Sequence, residues 1–423
     1  MTGIFRAIAA LLASVALLQF GNGLYSTLLT LRGASEGFST LVLGLIMSGY
    51  FVGFVGGTWT SGRLIARMGH IRTFGFCAAI AASIALINAI WIDPWLWIVL
   101  RVIYGLVFIA LMTVIESWLN SQAGAGNRGL TFALYMVVNL GALALAQQGL
   151  RIAPIHGFVL FSVVAIFISW ALLPITSTRR VQPTVVARPK SSLRTWLGFA
   201  PLAVVSAGLS GLAMGAFWGL APVYAYRLGF DTSGVSVMMS ATIAGGALLQ
   251  IPIGRFSDHG DRRRVMTWVT FAAAALAALM PWAPNHMFVM VLFGLWGGAA
   301  FSLYPLAVAQ LIDQLRPEEI VAGSADMLVV QGLGSALGPL MAAAVMSWLG
   351  PQGLPWYIAI VLAALGAYSL YRRRRVSPLT AGEAAHFEPM VQSGAEAMAL
   401  LGTERQLELF EAREHDAESH GKP

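Results

Sequence analysis

The chain has 423 residues, of which 57% are hydrophobic and 11% charged, with a formal net charge of +7 and a mean hydropathy of +0.73. A soluble domain carries about 25% charged residues, so the composition excludes a soluble globular chain and leaves an integral membrane protein. A basic balance can signal a nucleic-acid partner, but the positions of these charges argue against one.

A membrane-spanning helix needs roughly 20 mostly apolar residues. Twelve such runs follow one another along the chain, at 7–31, 40–62, 73–92, 95–119, 129–153, 155–175, 198–226, 233–253, 265–283, 286–312, 320–349 and 354–371. The first is too long for the core of a cleaved signal peptide and reads as a retained helix. Trp91, Trp95 and Trp97 flank the turn before the fourth run and read as an interfacial aromatic belt. The fifth and sixth runs meet near "RIAPIHG" with almost no loop between them. Cys77 is the single cysteine, so no intrachain disulfide can form.

Connections on one side carry Arg6, Arg63, Arg67, Arg72, Arg128, Arg179, Arg180, Arg188, Lys190, Arg194, Arg255, Arg262 to Arg264, Arg316 and Arg372 to Arg375. The other side has only Arg32, Arg151 and Arg227. The positive-inside rule makes the first side cytoplasmic, with both termini there, in the cytoplasmic (inner) membrane. The charge is thus topology, and no nucleic-acid partner is expected.

The segment 176–197 is the longest polar connection and divides six runs from six. One offset of 192 residues relates the halves: Gly23 to Gly215, Ser48 to Ser240, Gly53 to Gly245, Gly62 to Gly254, Gly105 to Gly297, and "VVN" at Val137 to "VVQ" at Val329. The expected fold is therefore all-α and integral to the membrane, with twelve transmembrane helices in two pseudo-symmetric six-helix bundles. The expected units are 1–175, a cytoplasmic linker 176–197, 198–375, and a tail 376–423. The tail holds nine acidic residues against three basic ones and reads as a mostly disordered cytoplasmic extension.

The stretch "GRLIARMGHIR", from Gly62 to Arg72, resembles the signature between helices two and three of the major facilitator superfamily. Gly62, Arg67, Gly69 and Arg72 fit, while Ala66 stands at the acidic position and His70 where arginine is usual. The second copy, "GRFSDHGDRRR", keeps the acid as Asp258 and reads as one residue short after it. "RVIYG" at Arg101 resembles the helix-four signature. "VIESWLN", "FSLYPLAVA" and "GSALGP" are similar to the YcaD-like branch, whose members also lack the first acid. The resemblance implies transport by alternating access, with a site between the halves near the bilayer midplane.

Charged residues inside spans are costly and point to function. Arg101 reads either as a contact for a substrate anion or dipole, with a coupling role implied by the family signature, or as a structural donor to neighbouring helices. Glu116 lies about four turns along the same helix and is expected to latch onto Arg67 or Arg72, in preference to acting as a protonatable coupling group. Asp326, about one turn into helix eleven, is expected to pair with loop arginines. Gln19 and Asn22 share one helix face, Asn139 and Gln331 are related by the repeat, and so are Tyr104 and Trp296.

The candidate substrate-binding residues are thus Gln19, Asn22, Arg101, Tyr104, Asn139, Trp296 and Gln331. The candidate conformational latch comprises Gly62, Arg67, Gly69, Arg72, Glu116, Gly254, Asp258 and Asp326. No nucleophile motif, phosphate loop or metal spacing stands out, so neither an enzyme nor a cofactor or metal is expected. The expected protein is a monomeric secondary transporter or exporter of a small organic solute, an amphipathic compound or metabolite, with proton coupling left open. The alternative is a non-transporting sensor or scaffold that acts through its acidic tail.

Overall fold

The computed structural model describes residues 2–123, 128–177, 193–315, 319–373 and 390. Most of the expected linker, Arg316 and the tail apart from Met390 lie outside the described residues. Fourteen α-helices follow in order: α1 Thr2–Ser35, α2 Thr40–Met68, α3 His70–Ile90, α4 Pro94–Gln122, α5 Arg128–Gln148, α6 Val159–Trp170, α7 Leu172–Ser177, α8 Leu193–Phe199, α9 Pro201–Arg227, α10 Thr232–Asp258, α11 Arg262–Leu279, α12 His286–Ile312, α13 Ile320–Leu349 and α14 Gly353–Arg373. Eleven stretches among the described residues are long and apolar enough to cross a membrane. The longest, Ala322–Arg373, contains both α13 and α14. With α6 and α7 forming one crossing, the fold has twelve transmembrane helices in two pseudo-symmetric bundles, as the hydropathy pattern implied.

The repeat extends to the helix starts. α2 and α10, α3 and α11, α4 and α12, and α5 and α13 all begin at the same 192-residue offset. At α2 and α4 the start is set by local chemistry that the second half repeats. Ser39 caps α2 by accepting from the Val42 amide at 3.3 Å, and Asp231 caps α10 by accepting from the Gly234 amide at 2.8 Å. Asp93 caps α4 and Asn285 caps α12 in the same way, at 2.7 and 3.1 Å. A short polar side chain at such a position satisfies an amide that the helix itself leaves free. The turns before α2 and α10 each use a glycine at positive φ, Gly37 at 83° and Gly229 at 84°.

Several boundaries differ from the hydropathy reading. α2 continues through "GRLIARM" to Met68, and its join to α3 is the single residue Gly69 at φ 80°. Basic residues fit a helix end that projects into water, so polarity alone stopped the expected span too early. Gly260 comes one residue sooner after Asp258 than Gly69 does after Ala66, yet α11 starts in register with α3, so the shortfall is made up before the helix begins. α5 ends at Gln148, a 3-10 turn covers Gly149–Arg151, and α6 begins only at Val159. Pro154 disfavours helix at the residue before it, which separates the two spans that read as nearly fused. The end of the linker is itself a helix, α8. Trp97 is buried within the protein, unlike the exposed Trp91 and Trp95; its indole donates to the Trp91 carbonyl at 2.8 Å.

Within each half, the tightest crossing is made by glycines. A Cβ on Gly53 of α2 would overlap the Val102 carbonyl of α4, and one on Gly105 of α4 would overlap the Tyr50 carbonyl of α2. Gly245 and Gly297 stand in the same relation to Gly294 and Thr242 where α10 crosses α12. Between lipid-embedded helices there is little hydrophobic drive, so close backbone approach supplies the contact.

The two halves meet chiefly through α2 with α13 and α5 with α10. Gly44 of α2 seats against Pro339 and Ala343 of α13, and Gly219 of α9 against Met47 and Pro339. Gln148 of α5 donates to Ser240 of α10 at 2.7 Å, Ser240 donates to the Ala144 carbonyl at 2.8 Å, and the Arg151 Nε donates to Ser233 at 2.8 Å. Among the described residues, these cross-half hydrogen bonds lie toward the face opposite the arginine-rich turns. They bridge the two halves on that face.

Gly53→Ala is expected to destabilise the protein by at least ~1–3 kcal/mol, the usual cost of overpacking. Gly56→Ala, one turn away where a Cβ meets nothing within 4 Å, should leave stability unchanged or slightly raised. Thermal unfolding of the two variants in detergent checks the contrast.

Candidate functional site

A cavity of about 60 Å³ lies beneath the bridged face, lined by Gln19, Asn22, Gly23, Ser26 and Thr27 of α1, Met47, Tyr50 and Phe51 of α2, Arg101 and Phe108 of α4, Leu143 of α5 and Trp218 of α9. Trp218 brings the second half into a lining otherwise drawn from the first. Gln19, Asn22 and Arg101 of the candidate binding set meet here. Asn22 donates to the Gln19 carbonyl oxygen at 3.5 Å, and the Gln19 amide faces the Met112 sulfur at 3.9 Å. The Asn22 oxygen has no hydrogen-bond partner among the described residues.

Arg101 is completely buried. Its position follows from the α2–α4 crossing: Gly49, one turn before Gly53, lets the two backbones approach beside the Arg101 Cβ. The guanidinium carbon lies 4.9 Å from the ring centre of Tyr25, 4.8 Å from that of Tyr50 and 5.3 Å from that of Tyr104. Nη2 donates to the Ser26 hydroxyl at 2.8 Å and approaches the Met47 sulfur at 4.0 Å. Among the described residues, Nε and Nη1 have no hydrogen-bond partner, and none of the ion pairs includes Arg101. Aromatic faces attract the charge, but they do not accept from N–H groups lying outside their faces. The result is a buried cation with polar hydrogens still to satisfy.

The remaining binding candidates are not in the cavity lining. Tyr104 packs in the tyrosine cluster, and its hydroxyl has no hydrogen-bond partner among the described residues. Trp296 is buried against Phe217 and Phe293, with ring centres 5.1 and 6.2 Å away. Asn139 and Gln331 are buried in α5 and α13; among the described residues, neither polar atom of Asn139 is hydrogen-bonded, nor is the Gln331 oxygen. Ser26, Tyr50 and Met47 were missed by sequence reasoning. A serine, a tyrosine and a methionine in apolar helices carry no signal until their neighbours are known.

The repeat shows how differently the halves are built at this depth. The positions equivalent to Tyr25, Ser26, Arg101 and Tyr104 are Phe217, Trp218, Phe293 and Trp296. Phe217 packs on Phe293 and Trp296, and Trp218 on Phe301. One half is cationic and hydroxyl-bearing, and its counterpart is wholly aromatic.

On the arginine-rich face the expected latch takes a different form. Glu116 is fully buried and accepts a 2.6 Å hydrogen bond from Tyr135 of α5. Arg67 and Arg72 are exposed, and no ion pair among the described residues includes them. The helix continues through Arg67, which directs that side chain outward. A Cβ on Gly62 would meet nothing within 4 Å, and Gly254 is buried in α10. Gly69 makes the one-residue α2–α3 join.

The second copy contains the ion-paired junction. Arg262, at the start of α11, pairs with Asp313 at 3.1 Å and with Asp258 at 3.5 Å, tying together α10, α11 and the end of α12. Its first-half equivalent is His70, which forms a 3.1 Å hydrogen bond with Ser117. Asp326 accepts from the Trp196 indole at 2.7 Å, so it anchors α8 beneath α13.

Arg262 and Asp313 side chains are 5% and 4% exposed. Breaking a buried pair leaves an uncompensated charge and costs ~3–5 kcal/mol. Arg262→Ala is therefore expected to lower the unfolding temperature sharply, while Arg67→Ala changes stability by less than about 0.5 kcal/mol. Thermal unfolding of both variants in detergent measures the difference.

The family described as Major Facilitator Superfamily matches the chain over residues 203–406. The chain is 30% identical over 349 residues to the uncharacterized MFS-type transporter YcaD of Salmonella newport (strain SL254), covering 81% of this chain and 89% of that protein. It is 29% identical over 345 residues to the uncharacterized MFS-type transporter Ent638_1421 of Enterobacter sp. (strain 638), with the same coverages. Among solved structures, the nucleoside transporter NupG superposes with a TM-score of 0.70 at 15% identity, covering 89% of this chain and 100% of that one. A bacterial homolog of the human lysosomal transporter Spinster, inward-facing and occupied, also gives 0.70, at 13% identity over 87% of this chain and 96% of that one. At such identities the structural likeness concerns the fold.

Proposed function

Because the chain belongs to the major facilitator superfamily, we propose that it is a secondary active transporter moving a small organic solute across the cytoplasmic membrane by alternating access. The observation that carries this reading is the cavity between the halves, holding Arg101 with N–H groups that, among the described residues, lack a hydrogen-bond partner. A buried intramembrane charge without a protein counter-ion is costly to keep, and a solute that meets it offsets that cost.

The positive-inside rule supports assigning the arginine-rich face to the cytoplasm. In that orientation the contacts of Gly44, Gln148 and Arg151 bridge the halves on the outer side. Residues 1–175 and 198–375 are the two units that rock, and Arg101, Gln19 and Asn22 form the binding face of the first. Tyr104 supports that face from behind, and Trp296 packs behind the facing surface of the second unit, on Phe217. The Arg262 junction and the Glu116–Tyr135 pair hold helix ends together within each unit while the units move. No carboxylate is among the residues lining the cavity, so a coupled proton would travel through Glu116, the buried carboxylate of the first half.

Arg101→Ala is expected to abolish solute flux in proteoliposomes while leaving membrane insertion and elution as a single species intact; full activity would remove Arg101 from the site. Joining Gln148→Cys to Ser240→Cys with a short thiol-specific linker should stop flux, with a reducible linker allowing recovery. The native Cys77 is buried. Unchanged flux in the joined protein would show that the outer contact does not open during transport.

A further inference from the structure

The asymmetry between the halves narrows the chemistry of the solute. Resting on the transporter reading, we infer that the solute is a monocarboxylate with an apolar or aromatic body, whose carboxylate meets Arg101 and whose body lies against Trp218.

The charge argument comes first. Among the described residues, Arg101 is the one cation lining the cavity, and the other lining residues are neutral. An amine would be repelled. A neutral solute would leave the buried guanidinium without a counter-charge, since its present partners are a serine hydroxyl, a methionine sulfur and three phenol rings. Those phenols are neutral at pH 7. A dianion such as a phosphate monoester would exchange one uncompensated buried charge for another of opposite sign. A single negative charge balances the site.

The hydrogen-bond argument selects a strong acceptor. Nε carries one N–H and Nη1 two, and neither nitrogen has a hydrogen-bond partner among the described residues. The Met47 sulfur at 4.0 Å is a weak acceptor that a carboxylate oxygen would readily replace. Hydrogen bonds from a guanidinium to a carboxylate are about twice as strong as neutral ones.

The space argument supplies the body. A cavity of about 60 Å³ is far below the roughly 300–1,000 Å³ of sites that enclose a whole organic ligand. It suits a head group, with the rest of the solute continuing between the halves. The second half meets that space with Trp218, backed by Phe217 and Phe301. The repeat has put an indole where the first half has the serine that accepts from Arg101. A surface built this way offers a sugar-like body little beyond the single indole N–H, and a broad apolar face to an aryl or alkyl one.

The test uses the purified full-length protein in detergent with three acids and their amides: phenylacetate, indole-3-acetate and octanoate against phenylacetamide, indole-3-acetamide and octanamide. Binding is measured by calorimetry. At least one acid is expected to bind ten-fold or more tightly than its amide. Arg101→Gln should abolish that preference, and Arg101→Lys, which keeps the charge, should retain it at reduced affinity. Trp218→Ala should weaken acid and amide by a similar factor, leaving the preference in place. Equal affinity for acid and amide, undiminished acid binding by Arg101→Gln, or no binding by any of the three acids overturns the inference. Transport is scored separately with the radiolabelled acid in proteoliposomes. Arg101-dependent binding without flux would leave the carboxylate site standing and sink the transporter reading. Flux of a neutral solute unaffected by Arg101→Gln would do the reverse.

Discussion

The close backbone crossing of α2 and α4 is the constraint on which the site depends. Gly53 and Gly105 remove the side-chain layer that would otherwise separate the two helices. Tyr50 and Arg101 therefore sit on adjoining turns of touching helices, and the guanidinium reaches the Tyr50 ring at 4.8 Å. With a side chain at either glycine the helices would part, and the tyrosine cluster around Arg101 would open. The second half repeats the crossing at Gly245 and Gly297, but places Phe293 where Arg101 would be. The same scaffold thus holds a charge in one half and an aromatic cluster in the other.

The site and the bridged face share residues. Met47 approaches the Arg101 guanidinium and also packs against Gly219 of the second half. Pro339 touches both Gly219 and Gly44, so the α2–α13 seam begins directly above the cavity. Opening that seam would withdraw Gly219 from Met47 and leave Met47, which lies in the same half as Arg101, freer to move beside the guanidinium. Occupancy of the guanidinium and the seam between the halves are therefore physically linked through one flexible side chain.

Much of the architecture was legible beforehand because it rests on patterns periodic along the chain. Long apolar runs report spans, and Gly53, Gly105, Gly245 and Gly297 lie at one offset because the repeated crossing needs them. Boundaries were less legible. Arginines at Gly62 to Met68 suggested a loop, yet the helix continues through them, since a helix end in water tolerates charge. The expected pairing of Glu116 with Arg67 or Arg72 failed for the same reason: once α2 is helical to Met68, Arg67 points outward, and Tyr135 is the residue found at Glu116. Asp258 was identified, but its partner Arg262 looked like one more topogenic arginine among three.

Sequence by itself determined the membrane class, the repeat and the presence of a lone arginine in helix four, because each depends on residue type and spacing along the chain. Tertiary structure decided what surrounds that arginine. Ser26, Met47, Tyr50 and Trp218 come from three other helices, and no spacing within one helix encodes which side chains of another will face it. Only packing shows that Arg101 has aromatic faces for its charge and, among the described residues, no acceptor for its remaining N–H groups.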